Sequence, residues 1–111
     1  MNAPRRFLVT LAAACAASVP AAYANCRLPP APSKIPNGAT ATKQQMVTAM
    51  QTIQEYNRDV QTYLKCLNFE VRQNQMSSDD QVSLHNAAVD QLQSIAAKFN
   101  RQVVIFKSKH S

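Results

Sequence analysis

The sequence predicts an all-α fold: an antiparallel two-helix hairpin with a proline-rich N-terminal arm stapled onto it by a disulfide. Three observations lead there. Two stretches, about 42–73 and 78–107, carry apolar residues at heptad spacing and contain neither Gly nor Pro. A short polar break separates them. Two cysteines remain once a leader-like start is set aside.

That start is residues 1–24. Arg5 and Arg6 supply positive charge, 7–19 is apolar and small, and Ala22–Tyr23–Ala24 has the small-x-small pattern of a signal-peptide cleavage site. The apolar run is shorter than the roughly 20 residues that a membrane-spanning helix needs. The expectation is export to the periplasm, cleavage after Ala24, and no stable membrane insertion afterwards. Cys15, in "LAAAC", faintly resembles a lipobox cysteine, but Ala12 stands where the box has Leu. Lipidation of Cys15 is therefore the minority alternative. The domain reading is 1–24 signal peptide, 25–41 proline-rich arm and 42–111 helical hairpin domain.

Of the 12 Lys and Arg in the chain, Arg5 and Arg6 fall in the signal, which leaves ten against six Asp and Glu. The mature chain is modestly basic and long enough for one small domain.

The first helix is expected from Thr42 to about Gln73. Thr42 followed three residues later by Gln45 fits a capping box. Met46, Met50, Ile53, Val60, Leu64, Leu67 and Val71 form a heptad stripe, with Asn57 at its one polar position. The break is "NQMSSDD", 74–80. Ser77 or Ser78 can cap the second helix, and Asp79 and Asp80 suit its positive N-terminal dipole. The second stripe is Val82, His85, Val89, Leu92, Ala96, Phe99, Val103 and Phe106. Folded about the break, the stripes pair rung by rung from Val71–Val82 to Met46–Phe106, with Asn57 opposite Ala96. A lone hairpin has a thin core and usually needs a staple or a partner.

Cys26 and Cys66 are an even pair in a chain expected to be exported, which reads as a disulfide. From Thr42 to Cys66 a helix rises roughly 36 Å. The segment from Cys26 to Thr42 reaches roughly 50 Å in polyproline II form. The arm can turn at Pro36–Gly38 and run back along the first helix until Cys26 meets Cys66. Pro29, Pro30, Pro32 and Pro36 keep it extended. An intermolecular bridge is the competing reading.

Tyr56 and Tyr63 lie beside the first stripe, and Leu84, Ala88 and Ile95 form a second stripe on the other helix. They either widen the packed faces, with the arm's prolines against the tyrosines, or offer a contact surface (Tyr56, Tyr63, Leu84, Ile95) to a second copy or a client peptide.

The run "IPNGATATKQQMVTAMQTIQEYNRDVQTYLKCL", 35–67, resembles a family of small exported proteins of Gram-negative bacteria that share I-P-[DN]-G-x-T-A, a Met, Y-N and Y-L-x-C-L. Phe99–Asn100 resembles their second helix. The resemblance implies export, two helices and paired cysteines; no activity is attached to that family.

Chemistry is sparse. His85 and His110 are the two histidines, and no HExxH or CxxC spacing occurs. Bridged cysteines cannot hold zinc. Met46 and Met50, one turn apart, could bind Cu(I), but both lie in the apolar stripe, where packing accounts for them. The sequence thus indicates no catalytic residue, no cofactor and no metal ligand. Basic residues are scattered rather than clustered, which disfavours nucleic acid. The functional expectation is a non-enzymatic periplasmic protein, structural or adaptor in role. Its partner would be an envelope protein that the sequence does not identify, or a second copy in a homodimer. A small periplasmic chaperone is the alternative, with copper binding last.

Overall fold

In the computed structural model, residues 26–111 are described. The expected signal segment, its cleavage site and Cys15 lie outside them. Two helices account for most of these residues: α1, Lys43–Arg72, of 30 residues, and α2, Ser78–Lys109, of 32. They pack against each other as a hairpin, and no strand occurs among the described residues.

Local chemistry sets each boundary. Thr42 caps α1 with both halves of a capping box. The Gln45 N–H donates to Thr42 Oγ1 at 3.1 Å, and the Thr42 N–H donates to Gln45 Oε1 at 2.8 Å. At the other end Asn74 takes the left-handed conformation, φ 57°. Its N–H donates to the Val71 carbonyl at 3.0 Å, and the Gln75 N–H donates to the Glu70 carbonyl at 2.9 Å. This is a Schellman closure, with Asn where Gly is commoner because Asn tolerates positive φ. Ser77 then caps α2 by accepting the Asp80 N–H at 3.1 Å. Gln81 Nε2 donates to Asn68 Oδ1 at 2.8 Å and ties the helices together beside the turn.

Before α1 the chain runs as an extended arm and folds back through a turn at 38–40. Asn37 organises the turn. Its carbonyl accepts from Thr40 and Ala41, and its side chain accepts from the Ala39 N–H. Gly38 is buried against α2, where its N–H donates to Gln102 Oε1 at 2.8 Å. A Cβ at Gly38 would fall on the Gln102 carbonyl oxygen and within 2.9 Å of the Phe106 nitrogen. Glycine is required here by the closeness of the approach. The arm ends at Cys26, bonded to Cys66 with a Cα–Cα separation of 5.5 Å. The bridge is intramolecular, and the intermolecular alternative gives way.

The core has two parts. The larger surrounds Tyr56, Val60, Tyr63, Leu67, Ala88 and Ile95 beside the disulfide, with Ala31 and Ile35 of the arm against it. The smaller joins Ala41, Met46 and Phe99 at the open end of the hairpin.

The buried stripes differ from the heptad stripes. Asn57 and Met50 of the expected α1 stripe are exposed, Met50 at 42 %, while Tyr56 and Tyr63 are buried. On α2, Val82 is 52 % exposed, whereas Ala88 and Ile95 are buried. At 100° per residue, the centre of each buried face is turned by roughly 60° from the heptad reading, toward the tyrosine side of α1 and the Ala88–Ile95 side of α2. Two causes act together. An uncoiled helix drifts about 20° per heptad away from a 3.5-residue repeat. The arm also covers one mouth of the interhelical groove and draws the core toward itself.

Candidate functional site

Residues expected at a contact surface are largely spent in this core. Tyr56, Tyr63 and Ile95 are buried, and Leu84 is half-buried. They therefore do not form an exposed contact surface. Leu28, Pro29, Pro30 and Ala31 of the arm lie over Tyr56, Tyr63, Leu84 and Ala88, enclosing a cleft of about 410 Å³ between arm and hairpin. The packing alternative describes these residues. Burial raises the Tyr56 phenol above its ordinary value, because the phenolate would lose solvation.

A second cleft, about 520 Å³, lies at the elbow, where Lys34, Ile35 and Pro36 of the arm meet Gln45, Ala49 and Ile53 of α1. It is open and carries no acid, histidine or cysteine in its lining. Its polar groups are the Lys34 ammonium, the hydroxyls of Thr40, Thr42, Thr48 and Thr52, and side-chain amides, all able to take part in hydrogen bonds.

The two histidines are apart. His85 is half-buried on α2. His110, at the α2 C-terminus, stacks on Phe106 with ring centroids 4.0 Å apart, and its Nδ1 lies 2.9 Å from the Phe106 carbonyl oxygen. Met46 is buried in the smaller core cluster while Met50 points to solvent, so the two thioethers do not converge on one point.

Sequence reasoning missed one group. Glu70, to which the sequence gives no role, is fully buried, at 0 % exposure. Neither carboxylate oxygen has a hydrogen-bond partner among the described residues. One of its oxygens and the sulfurs of Cys26 and Cys66 lie within 4.8 Å of one another. The signal that could have found it is its spacing: Glu70 follows Tyr63 by seven residues, as Tyr63 follows Tyr56, so the three share the arm-covered face of α1.

Exposed apolar side chains are spread along the hairpin. Phe69 and Val104, 51 % and 67 % exposed, lie on the outer faces of α1 and α2, while Met50 and Val82, 42 % and 52 % exposed, belong to the expected heptad stripes. Val89, Leu92, Ala96 and Val103, all of the expected α2 stripe, are half-buried. Among the described residues no helix is long and apolar enough to cross a membrane.

What the fold defines is a helical hairpin with a disulfide-bonded arm. No protein-family model matches the chain, and neither does any curated protein or solved structure.

Proposed function

We propose that this is an exported, periplasmic, non-enzymatic protein that works through protein–protein contacts, as a structural or adaptor element. One observation carries the reading: the flank of the heptad stripes left open by the arm. Val82 and Met50 are exposed there, and Val89 and Ala96 are half-buried between them. An apolar flank of this kind, rimmed by polar residues, suits a partner helix laid along the hairpin. The Cys26–Cys66 disulfide supports an oxidising compartment.

Photo-crosslinking in living cells, from a probe placed at Val82 of the full chain, tests the proposal. One discrete crosslinked band is expected, and its mass distinguishes an envelope protein from a second copy. No band from probes at Val82 and at Met50 alike overturns the proposal. A smear of many products replaces it with the chaperone reading. Intact-mass measurement on the exported protein checks cleavage after Ala24 separately.

A further inference from the structure

Glu70 is in a place that does not suit a carboxylate. It is fully buried, both its oxygens lack partners among the described residues, and it faces the disulfide. Burying a carboxylate with neither a hydrogen bond nor a counter-charge is unfavourable, so the group needs an explanation that packing does not supply. Replacement by Met or Leu would fill similar volume without that penalty.

We propose that in the reduced protein Cys26, Cys66 and Glu70 form a binding site for a divalent ion of the zinc class, a second way of fastening the arm to α1. The three donor atoms already lie within 4.8 Å of one another, and the Cα atoms of the two cysteines are 5.5 Å apart. Zinc binds thiolate sulfur at about 2.3 Å and carboxylate oxygen at about 2.0–2.2 Å, so neighbouring donors stand roughly 3.5–4 Å apart around it. From the docked position of the arm, small side-chain shifts reach that spacing; once the sulfur–sulfur bond is open, the ion itself has to hold the arm there. The donor set selects the metal. Two thiolates exclude calcium and magnesium, which take oxygen ligands. The carboxylate adds nothing for Cu(I), which favours sulfur, but completes three ligands for zinc and leaves a fourth position for water. Cys66 is half-buried and lines a surface cleft with Arg27, Asp59 and Thr62, which gives reductant and ion a route in.

The switch is chemically balanced. Exchange with an external dithiol breaks the Cys26–Cys66 bond and closes the cyclic disulfide of the reductant. Two electrons and two protons pass to the cysteine sulfurs. Metal binding then releases both thiol protons to solvent as the thiolates coordinate. The Glu70 carboxylate gains the positive charge that it lacks in the bridged form.

The test uses the processed protein, reduced anaerobically with a water-soluble phosphine that does not compete for metal, and Co(II) as a spectroscopic stand-in for zinc. The expected result is a near-ultraviolet thiolate-to-cobalt absorption, visible bands of four-coordinate intensity, and loss of both when Zn(II) is added. Glu70→Gln should weaken cobalt binding on the order of tenfold or more, since even an outer-shell partner is commonly worth that much. The bridged protein should give no band. Zinc should also raise the melting temperature of the reduced wild-type chain, and less so that of reduced Glu70→Gln. No thiolate band at millimolar cobalt overturns the proposal, as does a reduced chain that has lost its helical circular dichroism with and without zinc. Equal affinity in Glu70→Gln overturns the role of the carboxylate and leaves a site of thiols alone.

Discussion

At the scale of single residues, burial decides which side chains matter. Val60 and Leu67 are fully buried at the centre of the larger core. Leu67→Ala should lower stability by about 2–5 kcal/mol, read from denaturant midpoints, because a site closed on every side relaxes little around the lost atoms. Glu70 should behave in the opposite sense. In the bridged protein, Glu70→Met should raise the midpoint by about 1–3 kcal/mol, since it removes a buried polar group that has no partner there. A lower midpoint would mean that the carboxylate is hydrogen-bonded in solution, as by a bound water. Tyr56 adds a pH dependence. Its phenol is raised above 10.0 by burial, so from pH 10.0 upward the folded state holds a proton that the unfolded state gives up. Stability should therefore fall as pH rises past that point, and Tyr56→Phe should flatten the alkaline limb of a stability–pH curve.

At the scale of elements, the helices and their ends were legible because local chemistry writes them. Thr42 with Gln45, Ser77 ahead of Asp79 and Asp80, and long stretches free of Gly and Pro are short-range signals, and the structure uses each of them. The turn was legible as a break, but the left-handed Asn74 that closes α1 was not singled out, since "RQNQ" carries no glycine to mark it. The facing of the helices was less legible. A heptad count assumes that the other helix is the one partner, and here the arm is a third. Tyr56, Tyr63 and Ile95 went inside for that reason, and Glu70 with them. The elbow gives this scale its prediction. Gly38→Ala places a Cβ on the Gln102 carbonyl, and the neighbour is backbone, which cannot swing away. The variant should lose the Gly38–Gln102 hydrogen bond and melt several degrees lower, with α1 and α2 intact by circular dichroism. An unchanged melting temperature would show that the elbow is not fixed against α2.

At the scale of the whole molecule, the disulfide and the elbow hold the arm at its two ends, and they are not equivalent. The bridge joins residues 40 apart in sequence. On the chain-entropy model, closing a loop of that size contributes about 3–4 kcal/mol, by restricting the unfolded chain. If that were its whole effect, Cys26→Ala/Cys66→Ala would lower the denaturant midpoint and raise the slope m, because the freed unfolded chain exposes more surface. The packing argues for more. Between the bridge and the elbow no arm residue but Gly38 is fully buried: Pro29, Ala31, Pro32, Ile35 and Pro36 are half-buried, and Leu28 is 57 % exposed. Such partial apolar burial does not offset the entropy of ordering an extended segment. Without the bridge, the stretch from 26 to about 31 should leave the groove, while the elbow stays anchored through Gly38. The native state of the variant then buries less surface, which should cancel that rise, so the midpoint falls without an increase in m. Two probes locate the change: trypsin should cut after Arg27 faster in the variant, while the Gly38 amide, held by Gln102, should stay protected from hydrogen exchange. A lower midpoint with a higher m and a protected arm would mean that the prolines alone keep the arm docked, and that the cysteines act only through the unfolded chain.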